Sequence, residues 1–161
     1  LLVGHSLGGL HAQLFARLHP AEVAGVVFLE ASHPADLALD DLQPAPVRAL
    51  NRLLRGLDGL SARGRLAEVR HVRATADQLA GAPPFPPVPL VVVSGGARPF
   101  MMPAEAFAVR SANQRALVGL APGGEQVVAA ASGHFPQLTE PAVVLAAIRG
   151  CLARARGEAP P

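Results

Sequence analysis

The sequence predicts an α/β fold, a mostly parallel sheet flanked by helices, with a helical insert between two of its strands. Two observations carry this expectation. The short apolar runs Leu1-Leu2-Val3, Val23–Leu29 and Leu90–Val93 suit buried strands of a parallel sheet, and Gln126–Ala131 is a last, weaker strand. Between them lie stretches of helical periodicity bounded by Gly and Pro. At 161 residues, half of them hydrophobic, the chain is long enough to bury the core of one domain.

The first strand runs directly into Gly4-His5-Ser6-Leu7-Gly8, a G-x-S-x-G pattern, and helical periodicity follows at once. A serine between a strand end and a helix start sits on a sharp, strained turn. Gly4 and Gly8 are expected to remove Cβ atoms that would collide there. The hydroxyl is then held at the carboxyl edge of the sheet, in front of a helix N-terminus whose unpaired N–H groups suit a developing oxyanion. Gly-rich turns of this kind also bind phosphates, but the sequence has neither a Walker lysine nor a G-x-G-x-x-G. Leu7, Leu10, Leu14 and Leu18 fall on one helical face, and His19-Pro20 ends the helix.

The run Val23–Leu29 closes in Glu30-Ala31-Ser32-His33-Pro34. A carboxylate thus stands just beyond a strand, at the same edge as Ser6, where ligands bind in open α/β sheets. Residues 35–87 change character. Val47, Leu50, Leu54 and Leu57 form one helical stripe, a second helical stretch runs Leu66–Leu79, and the segment Gly81–Pro87 stops it. Such an insert reads either as a cap over the active edge or as an elaborated crossover.

The core resumes over residues 88–155. Pro89–Gly96 is a strand closed by a glycine turn, and a helix over Ala104–Leu120 ends at Pro122-Gly123-Gly124. The last strand delivers Ser132-Gly133-His134-Phe135-Pro136. Thr139 is the expected N-cap of a closing helix marked by Val143, Val144, Ala147, Ile148, Cys151 and Leu152. Residues 1–34 form the first part of the core, and 156–161 are a frayed tail.

Composition excludes several functions. Fourteen arginines, with no lysine, against twelve acidic residues leave a net charge of only +2. They are scattered, apart from Arg63, Arg65, Arg70 and Arg73 beside His71, which read as a solvated helical face; no nucleic-acid partner is expected. His11 and His19 lie about 12 Å apart along a helix, too far to share one ion, and no i, i+4 pair exists, so His5, His11 and His19 read as ordinary polar positions and no metal and no cofactor is expected. Cys151, the only cysteine, reads as a small core residue. No apolar run approaches the roughly 18 residues of a membrane span.

Ser6, Glu30 and His134 therefore occur in that order, each on a loop after a strand. A free serine hydroxyl is a poor nucleophile. An imidazole that takes its proton, oriented by a carboxylate, makes it a good one.

Along nearly its whole length the chain resembles the α/β-hydrolase superfamily, which the notation G-x-S-x-G describes as a nucleophile elbow. The resemblance is carried by Gly4–Gly9, Val27–Pro34, Pro89–Gly96 and Ser132–Phe135 with the helix that follows. It implies Ser6 as nucleophile, His134 as base and the backbone N–H of Leu7 as half of the oxyanion hole. Many members place the acid after the strand that here is Leu90–Val93, yet the loop Gly95–Met102 carries no carboxylate before Glu105. Other branches use a carboxylate after the earlier strand, where Glu30 stands. Glu30 is the expected acid, with Glu105 and the Asp36/Asp40/Asp41 group as alternatives. The family also places about half its sheet, and the second oxyanion donor, before the nucleophile strand. The expectation is thus a partial α/β-hydrolase fold, running from the elbow to the C-terminus.

The expected activity is a serine hydrolase acting on a small-molecule ester-type substrate through an acyl-enzyme. Acyl transfer or thioester cleavage would use the same residues, and a non-catalytic fragment is the competing reading. Dehalogenase and epoxide-hydrolase relatives use an aspartate nucleophile, against which Ser6 argues. The isolated chain is expected to self-associate along its first strand.

Overall fold

A computed structural model of the chain describes residues 1–36, 72–100 and 102–159. Four strands, β1 (Leu2–His5), β2 (Val26–Leu29), β3 (Leu90–Gly95) and β4 (Glu125–Ala129), pair in the order β1-β2-β3-β4, all parallel. Helix α1 (Gly8–Leu18) follows β1, α2 (Val72–Gly81) precedes β3, and α3 (Ala104–Val118) joins β3 to β4. The short α4 (Pro136–Thr139) and the longer α5 (Pro141–Ala155) follow β4. The α/β class read from the sequence is the class observed.

Alternation along the two central strands feeds two cores. Val26, Phe28, Leu90 and Val92 point to one face, packing with Ala16, Leu117 and Ala121. Val27, Leu29, Val91 and Val93 point to the other, against Val144, Ala147 and Cys151. Helices on both faces explain why these runs show no polar alternation. Cys151 is a free, buried thiol in the second core, as its place on an apolar stripe suggested.

Three local expectations need correction. Strand β2 starts only at Val26, because Pro20–Glu22 forms a 3-10 turn that Val23 caps. The buried face of α1 is Gly9, Leu10, Gln13 and Ala16, while Leu18 is 53% exposed. The reason is close approach: a Cβ on Gly9 would lie 2.3 Å from the Cβ of Ala31, so the small-residue side of the helix meets the sheet and the leucine stripe turns partly away. Thr139 does not cap the closing helix. It ends α4 and donates from Oγ1 to the Phe135 carbonyl (3.1 Å), while Glu140 holds the N-cap position of α5 with Pro141 at its start.

Of the insert, α2 covers the described part of the second helical stretch. It packs against α1, and Arg17 Nη1 donates to the Leu79 carbonyl at 3.2 Å. The stripe from Val47 to Leu57, Asp40, Asp41, Arg63, Arg65, Arg70 and His71 lie outside the described residues. Among the described residues no helix is long and apolar enough to cross a membrane.

Candidate active site

Parallel pairing sets the site. Leu29 is the register partner of His5, so Ser6 and Glu30 leave adjacent strands side by side at the carboxyl edge. Both adopt left-handed backbone, at φ 51° and 43°. Few non-glycine residues tolerate that region, and the turns are locked by backbone bonds. Ser6 N–H donates to the Leu29 carbonyl (3.1 Å), and the Ser6 carbonyl accepts from Gly9 N (3.0 Å) and Ser32 N (2.9 Å).

Gly4 is required by crowding, since a Cβ there would lie 2.8 Å from the Gly8 carbonyl oxygen and 2.9 Å from Gly9 Cα. Gly8 is not: a Cβ at that position meets nothing within 4 Å. The steric role expected of Gly8 belongs to Gly9, which lies under Ala31. Leu7 enters α1 with helical dihedrals, φ −57° and ψ −33°. Its N–H therefore falls in the first turn, where helix donors lack intrahelical partners.

The loop after β4 brings His134 across to Ser6. Glu140 accepts from the Ala131 N–H (3.0 Å) and the Ser132 hydroxyl (2.6 Å), and buried Ser132 also contacts Thr139 Oγ1 at 2.6 Å. The loop then crosses directly over β3, where a Cβ on Gly95 would sit 2.2 Å from the Gly133 carbonyl oxygen. His134 Nε2 ends 2.9 Å from Ser6 Oγ. His5 Nε2 donates to the His134 carbonyl at 2.7 Å, and the two rings lie 4.9 Å apart.

On the far side of the imidazole, Glu30 Oε2 lies 3.6 Å from Nδ1. Glu30 Oε1 accepts from the Gly95 N–H at 2.7 Å. Burial alone would raise the Glu30 carboxyl; the His134 ring, the Arg110 charge and the Gly95 N–H outweigh it and hold the group below the ordinary carboxylate range. Arg110 reaches in from α3. Its Nε and Nη2 both donate to Glu30 Oε2, at 3.0 and 2.8 Å, and Nη2 lies 3.1 Å from His134 Nδ1.

Ser6, His134 and Glu30 thus meet, and of the alternative acids the two described ones, Glu105 and Asp36, do not join them. Glu105 is exposed in the first turn of α3. Asp36 is one layer out, accepting from His33 N–H and Asn113 Nδ2 (both 2.7 Å), with Oδ2 4.0 Å from Arg110 Nη1. Sequence reasoning missed Arg110 and took His5 for an ordinary polar position. His5 was detectable as the residue preceding the serine on the last strand position. Arg110 had no such signal; one turn further along α3, Gln114 is 1% exposed and donates to the Ala31 carbonyl at 2.6 Å.

A family model described as "Alpha/beta hydrolase family" matches residues 1–147. The chain belongs to the alpha/beta hydrolase family. Solved structures share the fold of this chain. Est816, described as an N-acyl homoserine lactone degrading enzyme, is 24% identical over 92% of this chain and 66% of its own, with a TM-score of 0.54. A probable hydrolytic enzyme from Pseudomonas aeruginosa PAO1 is 18% identical over 93% of this chain and 62% of its own, at 0.57. E-2-(Acetamidomethylene)succinate hydrolase is 20% identical over 94% and 66%, at 0.51. The chain spans less than two thirds of the length of each of these structures. A search of curated proteins gives no match.

Proposed function

We propose that this chain is a serine hydrolase that cleaves carboxylic ester-type substrates through an acyl-enzyme on Ser6. The observation that carries the reading is the 2.9 Å contact between Ser6 Oγ and His134 Nε2, with the Glu30 carboxylate on the opposite side of the ring. In this reading Ser6 Oγ attacks the substrate carbonyl carbon while Nε2 takes the hydroxyl proton. The oxyanion faces the N–H of Leu7 at the start of α1. Collapse expels the alcohol, which leaves with the proton from Nε2. Water then attacks the acyl carbon while giving a proton to Nε2; the bond to Oγ breaks, Nε2 returns that proton to Oγ, and the acid and free Ser6 are released.

Glu30 orients the ring and stabilises the imidazolium. Its burial and the Gly95 N–H fix it in place, which suits an orienting group. A different acceptor in the second step, or a thioester in the first, would use the same residues.

A fluorophosphonate probe tests the reading. Covalent labelling of Ser6, lost in Ser6→Ala and in His134→Gln, is the expected result. A folded protein that takes up no label would mark the chain as a non-catalytic relative.

A further inference from the structure

Three side chains on one face of α3 grip the segment that carries Glu30. Arg110, Asn113 and Gln114 stand at i, i+3 and i+4 of the helix. Gln114 Nε2 donates to the Ala31 carbonyl (2.6 Å), Asn113 Nδ2 to Asp36 Oδ1 (2.7 Å), and Arg110 to Glu30. The grip of Arg110 is double. Its Nε and Nη2 donate to Oε2, at 3.0 and 2.8 Å, and the second hydrogen of Nη2 goes to the Glu30 main-chain carbonyl at 3.2 Å. The guanidinium thus ties a side chain to its own backbone, in the left-handed turn at φ 43°. A lysine ammonium has no planar fork with which to do this.

The oxygen held in this way is the one nearest the imidazole, Oε2 being 3.6 Å from His134 Nδ1. Oε1 is left to the Gly95 N–H at 2.7 Å. The Glu30 and Arg110 side chains are 6% and 16% exposed, so protein groups and not solvent fix the carboxylate. We propose that Arg110 is a positioning residue for Glu30: it fixes carboxylate and turn together, so that Oε2 stays directed at His134 when the ring becomes cationic. The proposal rests on the serine-hydrolase reading above. The guanidinium charge by itself opposes an imidazolium, since Nη2 lies 3.1 Å from Nδ1. Arg110 therefore aids the reaction only through the carboxylate it holds. On its far side Nη1 is 4.0 Å from Asp36 Oδ2, and Asp36 is itself anchored by the His33 N–H and Asn113. The clamp is thus braced from the same helix that carries it.

A double-mutant cycle on the rate of fluorophosphonate labelling of Ser6 tests this. Arg110→Met, which keeps the aliphatic stem, is expected to slow labelling by about 10- to 100-fold, and Arg110→Lys to recover only part of that loss. In a Glu30→Gln background the same Arg110→Met exchange is expected to cost no more than about twofold, because the carboxylate it served is gone. A role confined to packing α3 would cost the same factor in both backgrounds and would overturn the proposal. So would an Arg110→Met protein that labels at the unmodified rate or faster. If Arg110→Met does not fold, Arg110→Lys decides: slowed labelling supports the clamp, and labelling at the unmodified rate shows the fork to be dispensable and overturns it. Failure of the hydrolase reading is seen separately, as an unmodified protein that takes up no label; a labelled protein whose rate is indifferent to Arg110 fails this proposal alone.

Discussion

Ser6 and Glu30 are neighbours across two parallel strands, one position past the register pair His5–Leu29, and both sit in left-handed backbone. Two non-glycine residues side by side in that conformation each cost roughly 1–3 kcal/mol. The surrounding bonds, Ser6 N–H to the Leu29 carbonyl (3.1 Å) and Glu30 N–H to the Val93 carbonyl (2.8 Å), hold them there. Adjacent strand ends present both side chains to the loop that carries His134.

The strain has a measurable counterpart. Ser6→Gly should be more stable than Ser6→Ala by about 1 kcal/mol in urea unfolding, because only glycine enters φ 51° without penalty. Both variants should lose the fluorophosphonate label. Equal stability would show that the turn is not strained.

The acid assignment gives a ranking. Glu30→Gln should lower turnover of a p-nitrophenyl ester by about 10²–10⁴, since it removes the orienting charge behind the imidazole. Glu105→Gln, on an exposed helix turn, should leave turnover within about twofold. The reverse order would transfer the role to Glu105.

Acid stability should depend on the same carboxylate. Its folded value is depressed below the unfolded one, so it stabilises the fold above the ordinary carboxylate range and loses that contribution as pH falls through the folded value. Unfolding free energies of the unmodified protein and of Glu30→Gln should therefore converge as pH falls below the ordinary carboxylate range. A difference that stays constant with pH would falsify the depressed value.

Glycine substitutions separate crowding from habit. Gly95→Ala forces a methyl onto the Gly133 carbonyl and should destabilise by roughly 1–3 kcal/mol, displacing the His134 loop and reducing labelling. Gly8→Ala meets open space inside a helix and should be neutral or stabilising by up to about 1 kcal/mol. Thermal melts of the two variants check the contrast.

Strand β1 pairs only with β2 among the described residues, and Val3 is 47% exposed. Residues 1–161 expressed alone should self-associate through this strand, and Val3→Lys should shift the species toward monomer in light scattering. A monomer at high concentration without the substitution would refute the edge as a contact.

The sequence made β2 and β3 legible because their apolar runs are buried on both faces, while β1 and β4 are partly exposed, and it made the order Ser6, Glu30, His134 legible because each follows a strand. Arg110 was hidden for a physical reason. It lies in the middle of a helix whose apolar pattern is weak, and its role depends on how α3 approaches the β2 end, a tertiary relation that no local spacing records. The α1 face was misread similarly: four leucines suggested the buried side, whereas Gly9 and Ala16 allow the closest approach to the sheet.

With Glu30 in the proposed acid role, the end of β3 and the two residues after it support the site through main-chain groups: Gly95 N–H to Glu30, Gly96 N–H to the Ala129 carbonyl (2.8 Å) and Ala97 N–H to the Ser132 carbonyl (2.9 Å). The side chains of residues 98–100 are thereby released from supplying the acid. That stretch is where a protein engineer can graft, lengthen or randomise sequence to reshape substrate preference while leaving the catalytic groups untouched, a freedom denied to relatives that keep their carboxylate there.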